Sequence, residues 1–134
     1  MDNNINKNKI KIFAAAIVGA LVIVVGLGMT LNKPTASNLD GFAQCIKDSG
    51  AKFYGAFWCP HCQEQKALFG TSAKLLPYIE CSNPDRSQTQ ICKDAKIEGY
   101  PTWEMKDGTR LPVENSAGVT LKTLAEKTQC ILPN

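Results

Sequence analysis

Residues 55–65 read GAFWCPHCQEQ. Two cysteines, Cys59 and Cys62, stand two positions apart, with the chain's single histidine, His61, between them and Trp58 in front. Such a pair can exchange electrons, hold a metal or staple a small fold. The flanking residues narrow the choice. Upstream, KFYGAF (residues 52–57) is a short apolar strand by composition, and downstream Pro60 suits the first turn of a helix carrying Gln63 to Phe69. The pair therefore falls where a strand ends and a helix begins. Unpaired N–H groups and the helix dipole stabilise an anion there. Cys59, first in the motif, is the expected nucleophile, its sulfur exposed as a thiolate. Cys62, one helical turn on, faces back and can attack a mixed disulfide that Cys59 forms. An imidazole at His61 beside the sulfur would favour the thiolate and make the disulfide form a better oxidant.

Working outward, the segment from Leu39 to Asn134 reads as alternating elements. LDGFAQCIKDS (39–49) puts Leu39, Phe42, Ala43 and Ile46 on one helical face, with Asn38 as its cap and Gly50 as its stop. PYIEC (77–81) is a second strand, and SQTQICKDA (87–95) a short helix capped by Ser87 or Thr89. PTWEM (101–105) and TRLPV (109–113) flank Asp107-Gly108, a hairpin signal. TLKTLAEKTQC (120–130) closes the chain as a helix joining Leu121, Leu124 and Ala125. The order is α-β-α-β-α-β-β-α, an α/β sandwich.

Ahead of this segment, residues 12–31, IFAAAIVGALVIVVGLGMTL, carry no charged side chain. A helix of that length spans about 30 Å, the thickness of a bilayer's hydrocarbon core. A cleaved signal has an apolar run of about 7–15 residues followed by a small-x-small site. Here the run is longer and PTAS (34–37) puts Pro34 at the wrong place, so a retained transmembrane anchor is expected. Lys7, Lys9 and Lys11 precede it against Asp2, and Lys33 alone follows. The positive-inside bias then keeps the N-terminus in the cytoplasm. The expected organisation is a cytoplasmic basic flank (1–11), an anchor in the inner membrane (12–31), a linker (32–38) and an extracytoplasmic, periplasmic domain (39–134). Setting aside those four lysines and Asp2 leaves eleven basic and eleven acidic residues from the chain's 15 and 12. A formally neutral external domain gives no reason to expect nucleic acid as a partner.

All six cysteines, Cys45, Cys59, Cys62, Cys81, Cys92 and Cys130, fall in the external segment. An even number on the oxidising side of a membrane reads as disulfide chemistry, whereas the same residues in a cytosolic protein would suggest zinc. No metal and no cofactor are expected. Six cysteines permit about 15 pairings, which the sequence leaves open. Cys81 ends a strand and Cys92 lies in the next helix, so a bond between them would close the loop SNPDRSQTQI (82–91) and restrain the unfolded chain by about 2–4 kcal/mol.

GAFWCPHCQEQKALFG (55–70), PYIECS (77–82) and CKDAKIEGYPTWEM (92–105), with the final helix, resemble the thioredoxin-like domain that many bacterial and plant vitamin K epoxide reductase homologues carry fused to a membrane bundle. The resemblance covers residues 40 to 130. It implies a thioredoxin fold that passes disulfides between secreted proteins and a quinone-linked membrane partner. It also has cysteines at the positions of Cys81 and Cys92, and by elimination Cys45 and Cys130 would pair. The family's reductase bundle is replaced here by one anchor, so the partner would be a separate protein.

The same resemblance implies that Pro101, in GYPT (99–102), is cis and lies against the cysteine pair, leaving the preceding backbone free to bind a substrate strand. An aromatic before the proline and a strand after it suit a cis turn; the alternative is a trans proline at a strand start. Trp58, Pro60 and Tyr100 would line a substrate groove, and Trp103 either joins them or packs in the core. Six residues before Cys59, where ordinary thioredoxins have an acid, stands Phe53. Without that proton acceptor, and with His61 present, the expectation is an enzyme that forms disulfides in exported, thiol-containing proteins. The alternatives are a reductase or isomerase, a metallochaperone thiol donor, or a non-catalytic disulfide-stapled binding module.

Overall fold

The computed structural model describes residues 38–134. Its elements are α1 (Asp40–Asp48), β1 (Lys52–Gly55), α2 (Pro60–Ala67), a 3-10 stretch (Gly70–Leu75), β2 (Tyr78–Glu80), α3 (Gln90–Asp94), β3 (Thr102–Glu104), β4 (Arg110–Leu111) and α4 (Leu121–Thr128). This is the expected order with the 3-10 stretch added. The sheet runs β2-β1-β3-β4; β1 is parallel to β2 and antiparallel to β3, and β3 is antiparallel to β4.

Strand pleating puts successive side chains on opposite faces. Phe53, Trp103 and Leu111 lie in register across β1, β3 and β4. The Phe53 and Trp103 rings stack at 4.7 Å. They join Phe42, Ala43 and Ile46 of α1, Phe69, Leu124 of α4 and both motif cysteines in the larger core. Trp103 is thus a core residue, not part of a groove, and its buried Nε1 has no hydrogen-bond partner among the described residues. Tyr54, one position on from Phe53, turns to the other face and packs with Cys81, Cys92 and Ile97 beneath α3.

Two disulfides brace this frame. Cys45 of α1 is bonded to Cys130 beyond α4, and Cys81 after β2 to Cys92 of α3.

Local differences from the sequence reading have local causes. The first helix is not capped by Asn38: Leu39 occupies the N-cap with no side-chain bond, while Asp40 Oδ1 accepts from Ser72 Oγ at 2.5 Å. β1 ends at Gly55, not at Phe57, because Cys59 N–H donates to the Ala56 carbonyl at 3.0 Å and turns the chain. Thr89 is the N-cap of α3, yet its hydroxyl donates to the Glu80 carbonyl at 3.2 Å; Ser87 is drawn instead into a turn by Asp85. The flank at 1–11, the anchor at 12–31 and all of the linker except Asn38 lie outside the described residues. Among the described residues no helix is long and apolar enough to cross a membrane.

Candidate active site

β1 delivers the chain to the centre of the sheet, and the turn through Ala56 to Trp58 leads into α2. Cys59 is the N-cap of that helix, with extended backbone (φ −79, ψ 117), and Pro60 follows in its first turn, where a missing N–H costs nothing. The Cys62 backbone N–H points at Cys59 Sγ, 3.4 Å away. A thiolate at Cys59 would therefore meet the open N–H groups of a helix start. Of the six cysteines only Cys59 and Cys62 are free thiols.

The sulfur is less accessible than the motif suggests. Cys59 is 4% exposed, against 0% for Cys62, so both thiols are buried and the expected exposed thiolate is not found. Cover comes from the segment before β3. The Tyr100–Pro101 peptide is cis, Pro101 is buried, and the Tyr100 carbonyl lies 3.7 Å from Cys59 Sγ. Burial, followed by the contact with Cys59, pushes the Cys62 thiol up to about 12.

His61 stands beside the pair in sequence and bonds outward from α2. Its Nδ1 lies 2.8 Å from the Ser116 carbonyl, to which it must donate, and 3.5 Å from Glu64 Oε2, and its side chain is 57% exposed. His61 thereby links α2 to the loop before α4.

Trp58 and Phe57, which precede the pair, are each a little under half exposed. The Trp58 indole N–H donates to Ser82 Oγ at 2.7 Å, and its ring meets Tyr100 edge-on at 6.2 Å. Tyr100 is fixed in turn by Gln88, whose Nε2 donates to its hydroxyl at 3.1 Å and to the Ile97 carbonyl at 2.7 Å. Trp58, Pro60 and Tyr100 thus surround the cysteines, whereas Cys81–Cys92 and Cys45–Cys130 lie in the frame. Among the described residues no three His, Cys, Asp or Glu side chains cluster to hold a metal.

Sequence reasoning missed two groups around the site. Gln65, fully buried, binds the Val119 backbone twice: its Nε2 donates to the carbonyl at 3.0 Å and its Oε1 accepts from the N–H at 2.7 Å. Behind Cys62 lie Lys66, Tyr78 and Glu80. Helical spacing from Cys62 was the one available signal for Gln65 and Lys66.

The chain is similar to the thiol-disulfide oxidoreductase LTO1 of Arabidopsis thaliana, 47% identical over 92 residues that cover 64% of this chain and 23% of that protein. It is also similar to the thioredoxin domain-containing protein 5 homolog of Drosophila melanogaster, 36% identical over 100 residues, 66% of this chain and 23% of the relative. The domain is thioredoxin-like. This chain spans less than a quarter of the length of either relative. No family model matches it.

Proposed function

We propose that the chain is a thiol–disulfide oxidoreductase whose redox centre is Cys59 and Cys62, working outside the cytoplasmic membrane to form disulfides in exported proteins. The observation that carries this reading is the placement of the two free thiols at the start of α2, with Cys59 Sγ facing the carbonyl before a cis proline. Similarity to a protein named a thiol-disulfide oxidoreductase supports it. The reaction conserves electrons. A substrate thiolate attacks Cys59 Sγ of the oxidised pair, Cys62 leaves with the electron pair as a thiolate, and a second substrate thiol then displaces Cys59, leaving substrate oxidised and the pair reduced. Reoxidation falls to a separate membrane partner, quinone-linked like the vitamin K epoxide reductase homologues. Location rests on the apolar run at 12–31 and on the confinement of all six cysteines to the segment beyond it.

The full-length chain, oxidised and given a dithiol peptide, should return an oxidised peptide. Cys59→Ala should abolish this, and Cys62→Ala should accumulate mixed disulfides through Cys59. An equilibrium potential near about −270 mV, that of thioredoxin, would instead make the protein a reductase. Retention in membranes after carbonate extraction tests the anchor, and a soluble form beginning near Ser37 would show a cleaved signal.

A further inference from the structure

We propose that Lys66 is the positioning residue that lets Cys62 pass between thiol and thiolate, from the face of α2 that the two side chains share. The inference rests on the redox reading above. Lys66 lies four residues after Cys62 on α2, so the two side chains share a face. Its ammonium stands 3.3 Å over the centroid of the Tyr78 ring. The Tyr78 hydroxyl donates to Glu80 Oε2 at 2.9 Å, and Glu80 Oε1 accepts from the N–H groups of Phe57 at 3.1 Å and Ser82 at 2.9 Å.

Gly55 shows how closely this group approaches the thiol. A Cβ there would lie 2.7 Å from Tyr78 Cε2, 3.1 Å from Cys62 Sγ and 3.3 Å from Tyr78 Oη. Phenol and sulfur therefore both lie against one bare stretch of β1 backbone. Lys66, Ala73, Lys74, Leu76 and Tyr78 line a cavity of about 400 Å³ open to solvent. The groups that face Cys62 are Cys59 and Lys66 from α2, Tyr78 from β2 with Glu80 behind it, and the Ala56 backbone. Burial and Cys59 raise the Cys62 thiol, and the Ala56 backbone first and then Lys66 oppose them; burial lowers Lys66 itself, while Glu80 and Cys62 help keep it charged. Phe53 offers no proton acceptor from β1, which leaves Lys66 as the cation poised to compensate a Cys62 thiolate.

In the resolving step Cys62 yields its proton to a base from solvent and its thiolate attacks Cys59 Sγ. The Cys59–Cys62 bond forms, the bond from Cys59 to the substrate sulfur breaks, and that sulfur departs with the electron pair. In the opposite direction Cys62 leaves as a thiolate and takes a proton back from solvent. The same cation serves both directions.

The test follows the reduced full-length chain after mixing with oxidised glutathione, quenching in acid and weighing the Cys59–glutathione adduct against the Cys59–Cys62 disulfide. In Lys66→Met the adduct should form at the wild-type rate but persist about tenfold longer at neutral pH, and its resolution should need a pH about one unit higher to match wild type. Lys66→Arg should restore the wild-type profile, and Lys66→Gln serves as the neutral variant if the methionine protein does not fold. Equal adduct lifetimes in the neutral variant and wild type, or loss of formation and resolution together without rescue by arginine, would overturn the proposal while leaving the redox reading standing. A wild-type chain that forms neither product would overturn both.

Discussion

Gln65 occupies a place where one side chain holds two parts of the site together. It is fully buried on α2 and bonded to both the N–H and the carbonyl of Val119. Gln65→Met should leave both backbone groups unpaired, at about 1–3 kcal/mol for each; denaturant melts read that loss. Next along the same loop, Gly118 has φ +93, and an added Cβ would meet Gln65 Oε1 at 2.2 Å and Pro101 Cγ at 3.2 Å. Gly118→Ala should therefore destabilise the protein more than Gly108→Ala, where φ is +84 but nothing lies within 4 Å of the new methyl. The same melts rank the two. His61, by contrast, was legible as a residue but not as a contact. Spacing put it between two cysteines, yet its Nδ1 found the Ser116 carbonyl 55 positions away, a partner that no local pattern announces. His61→Ala should make the pair less oxidising, its potential falling by about 30 mV for each tenfold loss of thiolate stabilisation, measured against glutathione.

Among the elements, caps separate what composition suggests from what geometry uses. Thr120 caps α4, its side chain accepting from the Thr123 N–H at 3.2 Å, whereas Asn38 caps nothing. Thr120→Ala should cost about 1 kcal/mol and Asn38→Ala close to none, on the same thermal or chemical melts. The hairpin between β3 and β4 was plain in Asp107-Gly108. The turn closes through Gly108 N–H to the Met105 carbonyl at 2.9 Å, and Asp107 Oδ1 accepts from the Thr109 N–H at 2.9 Å. That N–H and the Thr109 hydroxyl hold the Asp107 carboxyl below its ordinary 3.8. A depressed folded value stabilises the turn above the unfolded value and loses that support as pH falls through the folded one. Titration of the Asp107 carboxyl by NMR should thus show a midpoint below 3.8, with the Thr109 amide moving in step. The 3-10 stretch at Gly70–Leu75 escaped notice because GTSAKL has neither helical nor alternating periodicity. Elements with a strong apolar rhythm were legible; turns set by one backbone bond were not.

Across the whole molecule, the succession of strands and helices followed from the order of apolar runs, but the pairing of cysteines distant in sequence required the fold. Cys81 and Cys92 are 11 residues apart, and Cys45 and Cys130 are 85 apart. Cross-link stabilisation grows with the logarithm of the closed loop, giving about 2.8 kcal/mol for the shorter and about 4.6 for the longer. Replacing both Cys45 and Cys130 by alanine should thus lower the denaturation midpoint more than replacing both Cys81 and Cys92. The Cys59 and Cys62 pair was the easiest feature to find, because its pattern is written in four consecutive residues; the Lys66, Tyr78 and Glu80 group behind it is assembled from a helix and a strand.

The bond between Cys45 and Cys130 also governs how the domain bears load. Its two attachment points stand 5.9 Å apart from Cα to Cα, one in the first helix and one just after the last. Tension applied through the chain on either side is carried from one to the other by a covalent link. The sheet and the cysteine pair between them are thereby shielded from a pull on the ends, and stretching can unravel only the residues outside 45–130 until that link is cut.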